Sequence, residues 1–141
     1  MSAGPAVAVG ATFVWLGMVL AISFLEAPLK FRAPNVTTQI GLGIGRLVFR
    51  ALNAVEVVFA IVILAAAMTS RPPSPVLVAY LIAWTTLAAQ LGAVRPFLNR
   101  RSDKVLAGLN APRSRGHYAY VGLEALKVIA LATAGGLLLS S

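Results

Sequence analysis

Four long apolar segments separated by short polar connections make up nearly the whole chain, over about 6–28, 47–69, 76–94 and 117–139. Each is about 20 residues long, the length at which a helix crosses a hydrocarbon core of roughly 30 Å. Length and pattern predict an all-α fold, an integral membrane four-helix up-down bundle forming a single transmembrane domain over residues 1–141.

Polar side chains interrupt these segments in an ordered way. In "RLVFRALNAVEVVFA", at 100° per residue, Arg46, Arg50, Asn53 and Glu56 fall within an arc of roughly 120°. On the fourth segment His117, Tyr120, Glu124 and Lys127 share a narrower stripe. Gln90 and Arg95 lie near the end of the third segment and Glu26 near the end of the first. A charged side chain at the centre of a bilayer costs about 2.5–3.5 kcal/mol on insertion scales, so such stripes are expected to meet inside the bundle rather than face lipid.

The connections differ in charge. The first and its flanks hold Lys30, Arg32 and Arg46; the third holds Arg95, Arg100, Arg101, Lys104, Arg113 and Arg115. The middle connection, "TSRPPSP", has one Arg and the termini have none. Basic connections stay on the cytoplasmic side, which predicts N-out and C-out in a multi-pass inner (cytoplasmic) membrane protein, with every intramembrane ionisable group in the cytoplasmic half. No Lys or Arg precedes Lys30, so the basic start of a cleaved signal peptide is missing and the first segment is expected to remain.

"TTQIGLGIGR" carries Gly41, Gly43 and Gly45 ahead of the second segment. The Gly41/Gly45 pair has the spacing that lets membrane helices approach closely, but its place at the interface points first to a flexible or re-entrant connection. With no strand around it, it is not a dinucleotide fingerprint. A shift of 68 residues superposes Pro28 on Pro96, Arg32 on Arg100 and Glu56 on Glu124, a faint tandem repeat of segment, basic loop, segment.

Composition agrees: 59% of residues are hydrophobic and 11% charged, far from the balance of a soluble domain. The net charge of +8 lies at segment ends, where it sets topology and contacts anionic membrane lipid; no basic soluble domain exists to carry nucleic acid. With no cysteine, disulfides and thiolate sites are excluded. A metal site from three Glu and His117 is the sharper alternative, but carboxylate-bridged bundles use Glu-x-x-His, whereas His117 and Glu124 are seven apart in the reverse order. No metal and no cofactor are assigned. Trp15 and Trp84 lie too deep for an aromatic belt and are expected to pack or line a pocket, while Tyr118 and Tyr120 suit the inner boundary.

"WLGMVLAISFLEAPLKF", "QLGAVRPFLNRR" and "RGHYAYVGLEALK" together resemble small bacterial four-helix membrane proteins similar to human transmembrane protein 205. The resemblance implies the fold, a bacterial source, and Gln90, Arg95 and His117 as matching positions. That family has no settled biochemical activity, Asn is usual there at Gln90, and Glu124 falls where the human protein is not acidic.

The sequence therefore leads to a polar, ionisable intramembrane pocket binding or transporting a small polar or amphiphilic ligand. Glu26, Arg50, Asn53, Glu56, Gln90, Arg95, His117, Glu124 and Lys127 are its candidate ligand-binding residues. Transport through so small a bundle would call for a homo-oligomer. Purely structural pairing, Arg50 with Glu26 or Glu124 and Glu124 with Lys127, is the plain alternative. An accessory or assembly subunit of a larger membrane complex, and a membrane enzyme of oxygenase or isomerase type acting on a lipid-soluble substrate, are the others.

Overall fold

A computed structural model describes residues 2–109 and 115–140. Among the described residues four helices are long and apolar enough to cross a membrane: α1 (Ala3–Lys30), α2 (Thr38–Thr69), α3 (Ser74–Leu106) and α4 (Arg115–Ser140). Neighbouring helices run antiparallel, as paired contacts show: Trp15 meets Glu56 and Lys30 meets Gly45, Phe13 meets Gly135 and Ser23 meets Glu124, Arg46 meets Asp103 and Gln39 meets Leu106. Arg46 on α2 pairs with Asp103 on α3, so the ring runs α1, α2, α3, α4 and closes between α4 and α1.

Every boundary but the end of α2, which falls at Thr69 as expected, reaches beyond the lipid-length segments. α2 begins at Thr38, where the Thr37 hydroxyl caps it by accepting from Ile40 N at 3.1 Å. The glycine stretch is thus helix, not a flexible or re-entrant connection, and the reason is close packing. A methyl group on Gly41 would lie 2.2 Å from the Phe31 ring, and one on Gly45 would lie 2.7 Å from Lys30 Nζ. The end of α1 lies against this small-residue face, and the turn between uses Asn35 at φ 66°, a conformation Asn tolerates. α3 likewise continues to Leu106 through the polar run "RPFLNRRSDKVL".

Two π-helical stretches, Leu20–Glu26 and Gln90–Val94, interrupt α1 and α3. Each ends two residues before a proline, Pro28 or Pro96. A proline inside a helix offers no N–H and its ring collides with the carbonyl four residues back, here Phe24 or Gly92; widening that turn relieves the clash and keeps the freed groups inside the helix. Ser23 lies within the first of these stretches and bonds Glu124 on α4, and Gln90, at the start of the second, continues the buried face of Ala83, Thr86 and Leu87.

These paired distortions strengthen the repeat. Thr12 and Tyr80, 68 residues apart, share a 2.7 Å hydrogen bond between α1 and α3, and Glu56 and Glu124, also 68 apart, bind one lysine. The core toward the termini is apolar, with Trp15, Val19, Ile63, Val76, Ala83, Leu131 and Ala134 buried. Gly135 receives the Phe13 ring, which a methyl group would approach to 2.7 Å.

Candidate functional site

Toward the basic end of the bundle the apolar core gives way to a closed cluster of charge. Glu56, Gln90 and Lys127 are 0% exposed and Glu124 is 1% exposed. Lys127 Nζ lies 2.5 Å from Glu56 Oε1, 2.6 Å from Glu124 Oε1 and 2.8 Å from Gln90 Oε1. The ammonium donates hydrogen bonds to Glu56 and Gln90 and is ion-paired with Glu124 on its own helix. Gln90 Nε2 donates to Glu124 Oε1 at 3.2 Å and to the Tyr120 carbonyl at 3.3 Å, and Trp15 Nε1 donates to Glu56 Oε1 at 3.0 Å. Three helices thus meet at one ammonium, α1 joining them through Trp15 on Glu56, and its two carboxylates leave the cluster formally one negative charge in excess when both are ionised.

Sequence angles account for who enters. On α2, Glu56 and Asn53 hold the inward edge of the polar arc; Asn53 Oδ1 accepts from the Tyr120 hydroxyl at 3.4 Å. Arg50 sits at the far edge of the same arc and is exposed. It pairs with neither Glu26 nor Glu124: Glu26 faces Lys30 at 3.7 Å and Glu124 is held by Lys127. Including Arg50 in the site is therefore corrected, because an arc of roughly 120° is wider than the face α2 turns inward. Glu26, half-buried, stays at the end of α1 outside the cluster.

From Glu124 the cluster opens into a cleft of about 370 Å³ between the end of α1, the start of α2, the polar end of α3 and the start of α4. α1 packs on α4 chiefly through Ala3–Val19; the cleft lies below, beside the π-helical stretch. Ser23 Oγ donates to Glu124 Oε2 at 2.5 Å on its wall. Arg95 and His117 line it too. Phe24, Phe31, Leu42, Leu98 and Val121 supply apolar wall, while Lys30, Arg46 and Arg101 supply charge. This mixture, apolar lining with a few convergent polar groups, is that of small-molecule sites, which run from roughly 300 to 1,000 Å³.

Arg95 is the unusual member. Its guanidinium lies 4.4 Å from the centroid of Tyr120 and 5.2 Å from that of Phe49, so two aromatic rings hold the cation. Its Nε and Nη2 atoms are buried and donate to no group among the described residues.

At the opposite end of the bundle lies a smaller recess of about 280 Å³, lined by Pro5, Ile63, Ala66, Arg71, Tyr80 and Leu138 among others. Tyr80, bonded to Thr12, is part of its lining and stacks on Trp84 with ring centroids 5.8 Å apart.

Of the nine candidate residues, the structure joins Asn53, Glu56, Gln90, Glu124 and Lys127 in one network and sets Arg95 and His117 in the adjoining cleft wall. Sequence reasoning missed Trp15 as a donor to Glu56, Ser23 as the link to the cleft, and the Thr12–Tyr80 pair. Pro28, four residues beyond Phe24, was the available signal for Ser23. Among the described residues no group of three or more His, Asp or Glu side chains is placed to hold a metal ion; Lys127 occupies the point where Glu56 and Glu124 converge. Arg113 lies outside the described residues. Comparison of the chain with family models, curated proteins and solved structures finds no match in any of the three.

Proposed function

We propose that this chain is a multi-pass inner-membrane protein, with both termini outside and the basic connections in the cytoplasm, that binds a small amphiphilic molecule in the cleft beside Glu124. The basic connections support the orientation. One observation carries the binding reading: a cleft with apolar walls runs directly onto a fully buried ionic cluster, linked to it by Ser23 and Glu124. Ordinary structural pairing would account for the cluster but not for a cleft whose wall includes one of its carboxylates. The polar stripes on α2 and α4 meet each other, so they offer little to a partner protein, which disfavours the accessory-subunit reading. Residues of a single chain line the cleft, so binding needs no second copy.

Thermal unfolding of the purified protein in neutral detergent tests this, with dodecyl-chain amphiphiles bearing anionic, cationic, zwitterionic or uncharged heads. At least one should raise the midpoint in a saturable way, as ligand binding to the folded state requires. Val121→Trp, on an exposed part of the cleft wall, should remove that stabilisation with little effect on the unliganded midpoint. Equal response of the wild type and Val121→Trp to every amphiphile would refute the reading.

A further inference from the structure

We infer that the amphiphile carries an anionic head, a carboxylate or phosphate, and that Arg95 is the residue that receives it. This rests on the binding reading above and adds the chemical class of the ligand.

The charges around the cleft decide the class. Arg46 pairs with Asp103, Lys30 faces Glu26 at 3.7 Å, and Arg101 is engaged as well. Glu124, the carboxylate in the wall, has Lys127 at 2.6 Å on one oxygen and the Ser23 hydroxyl at 2.5 Å on the other. An entering cation would find that carboxylate already matched. Arg95 differs: its close neighbours are the faces of Tyr120 and Phe49, and no ion pair with a carboxylate includes it among the described residues.

Aromatic faces hold a cation without consuming its N–H groups, since the attraction is to the ring quadrupole. The Nε and Nη2 edge, buried and undonated, is the fork that binds the two oxygens of a carboxylate or phosphate. Buried donors are nearly always matched, and an anion in the cleft would match these. Geometry orients the rest of the molecule. Phe24 and Val121, about 41% and 42% exposed, continue the cleft wall onto the outer surface of the bundle, where a hydrocarbon tail can pass between α1 and α4 into lipid. The repeat confines the device to the second half: position 27, equivalent to Arg95, is Ala, and position 59, equivalent to Lys127, is Phe.

The experiment compares dodecyl phosphate, dodecanoate, dodecyltrimethylammonium and an uncharged dodecyl glycoside by saturable stabilisation of the purified protein, with inorganic phosphate as the chainless arm. The two anionic amphiphiles are expected to bind at least tenfold more tightly than the others, and Arg95→Gln should erase that preference. Inorganic phosphate binding as tightly as dodecyl phosphate would assign the site to a soluble anion, with the Arg95 contact kept and the tail dispensable. Cationic or uncharged amphiphiles binding as well as anionic ones in the wild type would overturn the inference while leaving amphiphile binding intact. No saturable binding by any probe would overturn both. Should Arg95→Gln fail to fold, Val121→Trp carries the test, since it should abolish anionic binding from the tail side; unchanged binding there also overturns the inference.

Discussion

Lys127→Met removes the one cation that holds two buried carboxylates, and its cost can be worked from the geometry. Glu56 Oε1 and Glu124 Oε1 both lie within 2.6 Å of Nζ, so they are at most about 5 Å apart, and at an effective dielectric constant of 20 their repulsion is about 3 kcal/mol. Breaking a buried ion pair by deleting one partner costs about 3–5 kcal/mol, because the remaining charge stays in place without compensation. Neutral interhelical hydrogen bonds would account for less, at about 0.6 kcal/mol each for the two that Lys127 makes, to Glu56 and Gln90. The variant should therefore lose about 3–5 kcal/mol in reversible unfolding followed by the fluorescence of Trp15 and Trp84. Adding Glu56→Gln and Glu124→Gln to it should restore most of that loss, since the buried charges are then gone. A loss near 1 kcal/mol, or further destabilisation on adding the two Gln substitutions, would refute the charge account and leave the cluster as ordinary polar packing.

Three other perturbations separate close contacts from open ones. Gly41→Ala forces a methyl group against the Phe31 ring and should cost about 1–3 kcal/mol, whereas Gly17→Ala, with nothing within 4 Å, should cost nothing; unfolding of both variants under the same conditions checks the contrast. Tyr80→Phe deletes the bond to Thr12 and should lower stability by about 0.5–1.5 kcal/mol without altering amphiphile binding at the other end of the bundle. Arg50→Ala, on the exposed edge of α2, should stay within about 0.5 kcal/mol of the wild type and bind dodecyl phosphate normally; a large loss of binding would return Arg50 to the site.

The four helices were legible because lipid-length apolar runs carry a strong signal, and Glu56, Asn53, Glu124 and Lys127 because helical angles fix which side chains share a face. Hydropathy measures only the stretch suited to lipid, so it could not show α2 starting at Thr38 or α3 continuing to Leu106. Gly41 and Gly45 read equally as hinge or as contact surface; the aromatic ring of Phe31 settles it, and that ring is distant in pattern though near in sequence. Ser23 lies in a π-helical turn, which a fixed 100° step does not follow, whereas Gln90 continues the buried face of Ala83, Thr86 and Leu87 and was legible. Arg50 failed for the opposite reason, since the step was right but the buried face narrower than the polar arc.

Occupation of the cleft by an amphiphile is the central claim, and photo-cross-linking in the membrane tests it most directly. Membranes containing the wild-type protein would be equilibrated with dodecyl phosphate bearing a diazirine on its chain, irradiated, and the labelled residues mapped by mass spectrometry. Labelling should concentrate several-fold at Phe24, Pro28, Leu98 and Val121 over the exposed apolar residues Val58, Ile61 and Leu64, and it should fall in Val121→Trp. Equal labelling of the cleft wall and of those outer faces would contradict the account.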